Sequence, residues 1–362
     1  MPSYTKEEKA EIWLDSFGLD CAKKWSVRAL ADSAYALVAR FARERGRIAK
    51  IVGEEVCARM ESSLEDTGYL PALLAGYAER GIACVGYSSP RYPELLRQIP
   101  DAPLVLYCKG DVSLLRTRMF AVVGSRRTLP QVVRQTEKFA AGLARHFTVV
   151  TGLAEGGDTA AALGALAVGA VVCVLAYGFD HVYPACNADL LAKAEQKGLV
   201  VSEYLPQEEP RGYRFLARNR IIAGMSEGVL VVSAGAKSGT RSTAERAFEY
   251  GRDVFAFPYG LGVPSGVGCN ALIKEYAKLT DELVDITSAF GINLTEAAQE
   301  KAQPALSPSE SAVYAAICAG ASHAEEIAKR SGIPAQSLSV PLTLLQMKGK
   351  IVSCGGNRYA KV

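Results

Sequence analysis

Histidine is nearly missing from this chain: three residues, scattered through 362. That argues against a metal site built from imidazoles. The nine cysteines are odd in number and include no CxxC pair, so neither a zinc ribbon nor a disulfide framework is indicated. Cys57, Cys84, Cys108, Cys173 and Cys318 lie in apolar contexts and read as small buried hydrophobes, as in a protein of the reducing cytoplasm. No apolar stretch approaches the roughly 20 residues of a membrane span, and no signal peptide is visible. Charge of one sign is not in excess. A formal net charge of +3 is too small to argue for nucleic acid by itself, so any anion site must be a local cluster. The GxGxxG fingerprint is absent as well, and no nicotinamide, flavin or other cofactor is expected. The rest is ordinary: 22% charged and 49% hydrophobic residues, in a chain long enough for two or three domains.

Against that background the stretch 120–258 stands out. Apolar runs at 120–123, 147–153, 170–176, 199–204, 229–234 and 254–257 alternate with segments of helical spacing such as 132–146 and 159–168. This pattern predicts an α/β fold, a doubly wound and mostly parallel sheet covered on both faces. Ligands bind such sheets beyond the carboxyl ends of the strands, where the glycine-rich turns of this chain fall. Residues 1–80 are helical in pattern, in short pieces separated by Gly18, Gly46, Gly53 and Gly68. They read as a structural or partner-binding cap in preference to a DNA-binding bundle. The sheet domain is assigned to 81–287. In its lead-in prolines exclude a long helix, and 105–108 reads as an extra strand. A polar stretch over 288–308 reads as a linker. The tail, 309–362, has helical segments at 311–319, 324–329 and 335–348, then a hairpin signal around Gly355-Gly356-Asn357. Three helices and a hairpin make a winged-helix-like module. Its third helix carries Pro341 inside and only Lys348 and Lys350 near its end, so a protein-contact or structural role is expected ahead of base readout.

Several loops and one helix carry groups suited to an anion. Gly124-Ser125-Arg126-Arg127 closes the first run: glycine permits a tight turn, the next helix offers its N-terminal amides, and the arginines add planar donor forks. Gly152 lies in the glycine-rich turn after the second run, where Asp158 is expected to cap a helix starting near Thr159. Arg214, Arg218 and Arg220 surround Phe215, a combination suited to phosphates and a stacked base on a single strand. Lys237-Ser238-Gly239-Thr240 precedes a helix expected over 243–250. Its order and glycine spacing differ from a phosphate-binding P-loop, so ATP hydrolysis is not expected. Asn270 opens the next helix, with Lys274 one turn on. The plain alternatives are solvated arginines at turns and Phe215 in the core. Taken together, Arg126, Arg127, Arg218, Arg220, Lys237 and Lys274 at one sheet edge imply an extended polyanion. No His/Asp/Ser arrangement and no acid pair suggests an enzyme.

The order of motifs resembles the DNA processing protein A family (DprA, also called Smf). The motifs are Tyr92-Pro93 with Asp101-Ala102-Pro103, Gly124-Ser125-Arg126, Thr151-Gly152-Leu153-Ala154, Tyr183-Pro184, Ser202-Glu203-Tyr204, Arg218-Asn219-Arg220-Ile221-Ile222-Ala223-Gly224, Lys237-Ser238-Gly239-Thr240 and Gly251-Arg252. They run unbroken over about 85–285. The resemblance implies an extended Rossmann-like domain flanked by a SAM- or helix-hairpin-helix-like domain and a winged helix. It also implies a non-enzymatic protein that binds single-stranded DNA, protects incoming strands in natural transformation, helps load the recombinase RecA, and forms a homodimer through its central domain. The nucleic-acid-binding set so implied is Gly124, Ser125, Arg126, Arg127, Gly152, Phe215, Arg218, Asn219, Arg220, Lys237, Ser238, Gly239, Thr240, Asn270 and Lys274. Where the family pattern has Gly-Ile-Asp and then Ala-His, this chain has Gly156-Gly157-Asp158 and Ala162-Leu163. The competing reading is a nucleotide-processing or nucleotide-sensing Rossmann-like protein, related to phosphoribohydrolases. It would need a Pro-Gly-Gly loop where Ala236-Lys237-Ser238 stands, and an acid nearer than Glu245.

Overall fold

The computed structural model describes residues 4–292 and 306–361 and divides into two compact units, Met1–Gly291 and Ile292–Val362. The first opens with six helices: α1 (Lys6–Asp15), α2 (Cys21–Arg28), α3 (Ala34–Ala39), α4 (Phe41–Val52), α5 (Glu54–Glu65) and α6 (Tyr69–Glu79). Thr5 and Glu8 form a capping box that starts α1. Gly46, expected as a separator, lies inside α4, while Gly53, at φ 92°, makes the turn between α4 and α5.

A nine-stranded sheet follows. Its elements in chain order are β1 (Ala83–Gly86), α7 (Glu94–Arg97), β2 (Val105–Gly110), β3 (Met119–Gly124), α8 (Pro130–Leu143), β4 (Thr148–Thr151), α9 (Gly157–Leu166), β5 (Val171–Val174), α10 (Ala188–Lys197), β6 (Leu199–Ser202), α11 (Gly212–Gly224), β7 (Gly228–Ser233), α12 (Gly239–Glu249), β8 (Asp253–Ala256), α13 (Val267–Glu275), β9 (Lys278–Leu279) and α14 (Leu283–Ala289). The strand order is β1-β2-β6-β5-β4-β3-β7-β8-β9. From β6 to β9 every pair is parallel, and the expected apolar runs are strands buried along their length. Residues 105–108 belong to β2, which joins antiparallel to β6 and takes β1 on its other side. Beyond β3 the chain moves outward through β4, β5 and β6, then returns to place β7 on the other flank of β3. Connections therefore leave β3 and β7 in opposite directions and open a crevice at their carboxyl ends.

The helical segment shares its core with the sheet edge. Ile12, Trp13, Leu14, Leu37 and Ile48 pack with Cys84, Leu104, Val105 and Tyr107. A buried ion pair pins the joint: Lys24 Nζ lies 2.7 Å from Asp15, whose other carboxylate oxygen accepts from Tyr107 Oη at 2.8 Å. At the far end α14 runs through the start of the stretch expected as a linker. Phe290 then sets its ring against Phe120, Phe147 and Phe255, so apolar packing carries the first unit past 287. Most of the remaining linker lies outside the described residues.

The second unit has α15 (Pro308–Cys318), α16 (Ala324–Ser331) and α17 (Ser339–Met347), then the hairpin β10 (Ile351–Gly355) and β11 (Arg358–Lys361). Gly355, Gly356 and Asn357 all take positive φ in its turn. Pro341 is the third residue of α17, where its missing N–H breaks no intrahelical bond. Cys318, expected to be buried, is exposed at the end of α15, whereas Cys57, Cys84, Cys108 and Cys173 are buried. Among the described residues no helix is long and apolar enough to cross a membrane, and no group of three or more His, Cys, Asp or Glu could hold a metal ion.

Candidate nucleic-acid interface

A cleft of about 560 Å³ opens where β3 and β7 end. Its first wall is the turn after β3. Ser125 donates its amide to Ser233 O at 3.0 Å, and the Thr128 hydroxyl donates back to Ser125 O at 2.7 Å, closing the turn on itself. Gly124 must be glycine, because a Cβ there would stand 2.8 Å from Gly157 Cα. The absence of a side chain at both positions lets α9 approach the strand end. Arg126 extends from this turn over two rings, its guanidinium carbon 5.5 Å from the centre of Phe215 and 5.7 Å from that of Tyr183. Arg127 is exposed beside it and is not part of the lining.

The floor belongs to Arg218, only 4% exposed. Its guanidinium donates to Gly152 O at 2.7 Å and to Val174 O, tying the ends of β4 and β5 together. A Cβ on Gly152 would stand 2.5 Å from that guanidinium, so Gly152 serves as the seat of Arg218 and is not itself in the lining. Asp158, expected as a helix cap, is the second residue of α9. Gly156, at φ 77°, stands at the cap position. The Asp158 carboxylate accepts from Gly124 N at 3.0 Å and Ala154 N at 3.3 Å, linking the two glycine-rich turns. Burial pushes its carboxyl pKa up, and the Arg218 charge opposes that shift. An acidic side chain thus stands in the first turn of α9, and the helix's first amide, Gly157 N, donates to Ser125 O at 3.2 Å.

The second wall is the start of α12, four residues earlier than the expected helix. Ser238 caps it, accepting from Thr240 N at 3.2 Å, and Ser238, Gly239 and Thr240 line the cleft. With no acidic residue in that first turn, its positive dipole end suits an anion. Asn219 joins the walls by donating to Gly239 O at 3.0 Å. Lys237 is exposed on the adjoining loop.

Three expected members stand elsewhere. Arg220 lies two residues from Arg218 on α11 and so points to the opposite side. There it pairs with Glu203 at 2.6 and 3.0 Å and with Asp101 at 3.2 Å. Asn270 locks a loop, accepting from Tyr259 N at 3.0 Å and donating to Tyr259 O at 2.9 Å. Lys274 sits in the last turn of α13, roughly 10 Å along the helix axis from the first residue of that helix, and is not in the cleft lining. The cations expected as one cluster are therefore divided: Arg126 and Arg218 in the cleft, Arg127 and Lys237 on its bordering loops, and the other two away from it. Tyr183, Pro210 and Leu216 line the cleft without having been expected. Tyr183 had a signal in the Tyr183-Pro184 motif, but nothing in the sequence tied that motif to Phe215.

The family model for DNA recombination-mediator protein A matches residues 83–291, and that for the DprA winged helix domain matches 297–357. The DNA processing protein DprA of Streptococcus pneumoniae is 44% identical over 200 residues, covering 55% of this chain and 71% of that protein. DprA of Bacillus subtilis is 39% identical over 222 residues, 60% of this chain and 74% of its own. The X-ray structure of the pneumococcal protein superposes with a TM-score of 0.65 at 34% identity, over 79% of this chain and 98% of that one. DNA processing protein A of Helicobacter pylori, described for its single-stranded DNA binding mode, superposes with a TM-score of 0.53 at 30% identity, over 58% of this chain and 95% of that one.

Proposed function

From the premise that this chain belongs to the DNA recombination-mediator protein A (DprA/Smf) family, we propose that it binds single-stranded DNA in the cleft between β3 and β7 and acts by binding, not by catalysis. The observation that carries the reading is Arg126 held over the Phe215 and Tyr183 rings, beside the N-terminus of α12. A cation and a helix dipole receive phosphate, and exposed ring faces receive an unstacked base, which a duplex does not offer. The H. pylori relative, described for single-stranded DNA binding, supports the choice of ligand. The contact set is Gly124, Ser125, Arg126, Phe215, Asn219, Ser238, Gly239 and Thr240, with Arg127 and Lys237 at the border and Arg218 supporting the floor.

Catalysis has little to work with. Among the described residues Asp158 is the only acid lining the cleft, and it is buried and committed to two backbone amides. Glu245, the acid a phosphoribohydrolase-like reading would call on, faces Arg241 at 3.6 Å on α12.

In the cell, the protein protects incoming strands during natural transformation and helps load RecA onto them, in a reducing cytoplasm. It works as a homodimer through the central domain, where among the described residues β9 pairs only with β8, leaving that sheet edge open and Leu279 half exposed. Fluorescence anisotropy with labelled oligo-dT and with the matching duplex, over a salt series, tests the central claim. Strong preference for the single strand with a steep salt slope is expected. Equal or weak binding to both would sink it, and would bring a mononucleotide ligand forward.

A further inference from the structure

Tyr183 has a ring that the fold does not consume. Its main chain is held at both ends by one buried side chain: Tyr183 N–H donates to Tyr177 Oη at 3.0 Å, and Tyr177 O–H donates to Tyr183 O at 2.7 Å. Tyr177 is itself 2% exposed. The Tyr183 ring, by contrast, stands in the cleft at 38% residue exposure. It meets Phe215 at 5.3 Å between centroids with a 57° tilt. That spacing leaves no slot between the rings for a base, so together they make one bent surface. The Arg126 guanidinium lies over both rings, with one long contact of 3.4 Å to Tyr183 Oη.

The geometry points to Tyr183 as a further nucleobase-binding residue, forming with Phe215 a two-ring platform that Arg126 covers and gives up to a base when it turns to a phosphate. The inference rests on the single-strand reading of the cleft and adds the residue that receives the base. The physical case is that an ordered, half-exposed ring pair is preorganised for stacking: little side-chain entropy remains to be lost when a base lands on it. The cation now on the platform is also the group a phosphate attracts most, so one exchange supplies both contacts. Because every base has a π-face, the platform takes any sequence.

The test compares an oligo-dT with the same strand carrying abasic spacers, on the full chain and by anisotropy. Tyr183→Ala should lose about tenfold in affinity for oligo-dT at an unchanged salt slope, and nothing on the abasic strand. Tyr183→Phe should bind like the parent. In Tyr183→Trp the added indole should be quenched on saturation, a stacking signature that a merely structural ring would not give. Undiminished oligo-dT binding by Tyr183→Ala, an equal loss on both strands, or an unquenched indole would each overturn the platform while leaving the cleft assignment standing. Failure of the parent protein to bind either strand would overturn the cleft assignment and the platform with it.

Discussion

Two arginines on one helix, two residues apart, do different work. Arg218 is held by carbonyls of Gly152 and Val174 beneath the cleft, and Arg220 by Glu203 and Asp101 on the other side of α11. Arg220→Ala leaves a nearly buried Glu203 without its partner. It should cost about 3–5 kcal/mol of stability in urea unfolding, while strand affinity, measured where the variant is still folded, stays near the parent value. Arg126 is exposed and makes no ion pair among the described residues, so Arg126→Ala should leave unfolding unchanged. It should weaken strand binding about tenfold for every sequence, roughly 1.5 kcal/mol, and lower the salt slope by about one. The residue types at both positions were legible in the sequence. Their separation was not, because the groups that hold them lie far away along the chain.

Among elements, the attachment of the N-terminal helices to the sheet is the least legible part. Apolar spacing located helices over 1–80. It could not reveal that α1, α2 and β2 meet through Asp15, Lys24 and Tyr107, since Asp15 and Tyr107 are 92 residues apart. In Lys24→Met the buried Asp15 carboxylate would lose its ammonium, and the expected cost is about 3–5 kcal/mol, read as a lower urea midpoint. A double variant with Asp15→Asn should recover much of it by removing the orphaned charge. The parallel strands were the legible elements, because strands covered on both faces must be continuously apolar. Strand β9, two residues long with both side chains exposed, carries no such signature.

For the whole molecule, one buried acid sets an expectation for pH. The Glu11 carboxylate accepts from Ser88 N at 3.1 Å and Ser88 Oγ at 2.9 Å where α1 meets the chain after β1. Burial, with a smaller push from Glu7, lifts its pKa to about 7, against the Ser88 hydrogen bonds and Arg28, which lower it. The folded form therefore binds this proton more tightly than the unfolded chain. The contribution is complete below the unfolded pKa of about 4.5 and is lost as pH rises through about 7, on the order of 3 kcal/mol. Melting temperature should fall more between pH 5 and pH 8 for the parent than for Glu11→Gln. Parallel curves would show that Glu11 does not titrate in this range. Every residue assigned to the cleft lies in the first compact unit. A chain ending at Gly291 should thus keep its single-strand affinity within about twofold, and loss of binding would assign the second unit a direct share.

The sequence by itself determined the sheet, the glycine turns at its carboxyl edge, the winged-helix pattern of the tail and the family, because hydrophobic period and turn chemistry are local properties. Only the tertiary structure decided which cations share the cleft, that Asp158 sits in the first turn of α9 while the start of α12 lines the cleft, and that Tyr183 stands against Phe215. Those are contacts between residues distant along the chain. Which way a helix turns its side chains depends on the surface it packs against, and no local pattern records that.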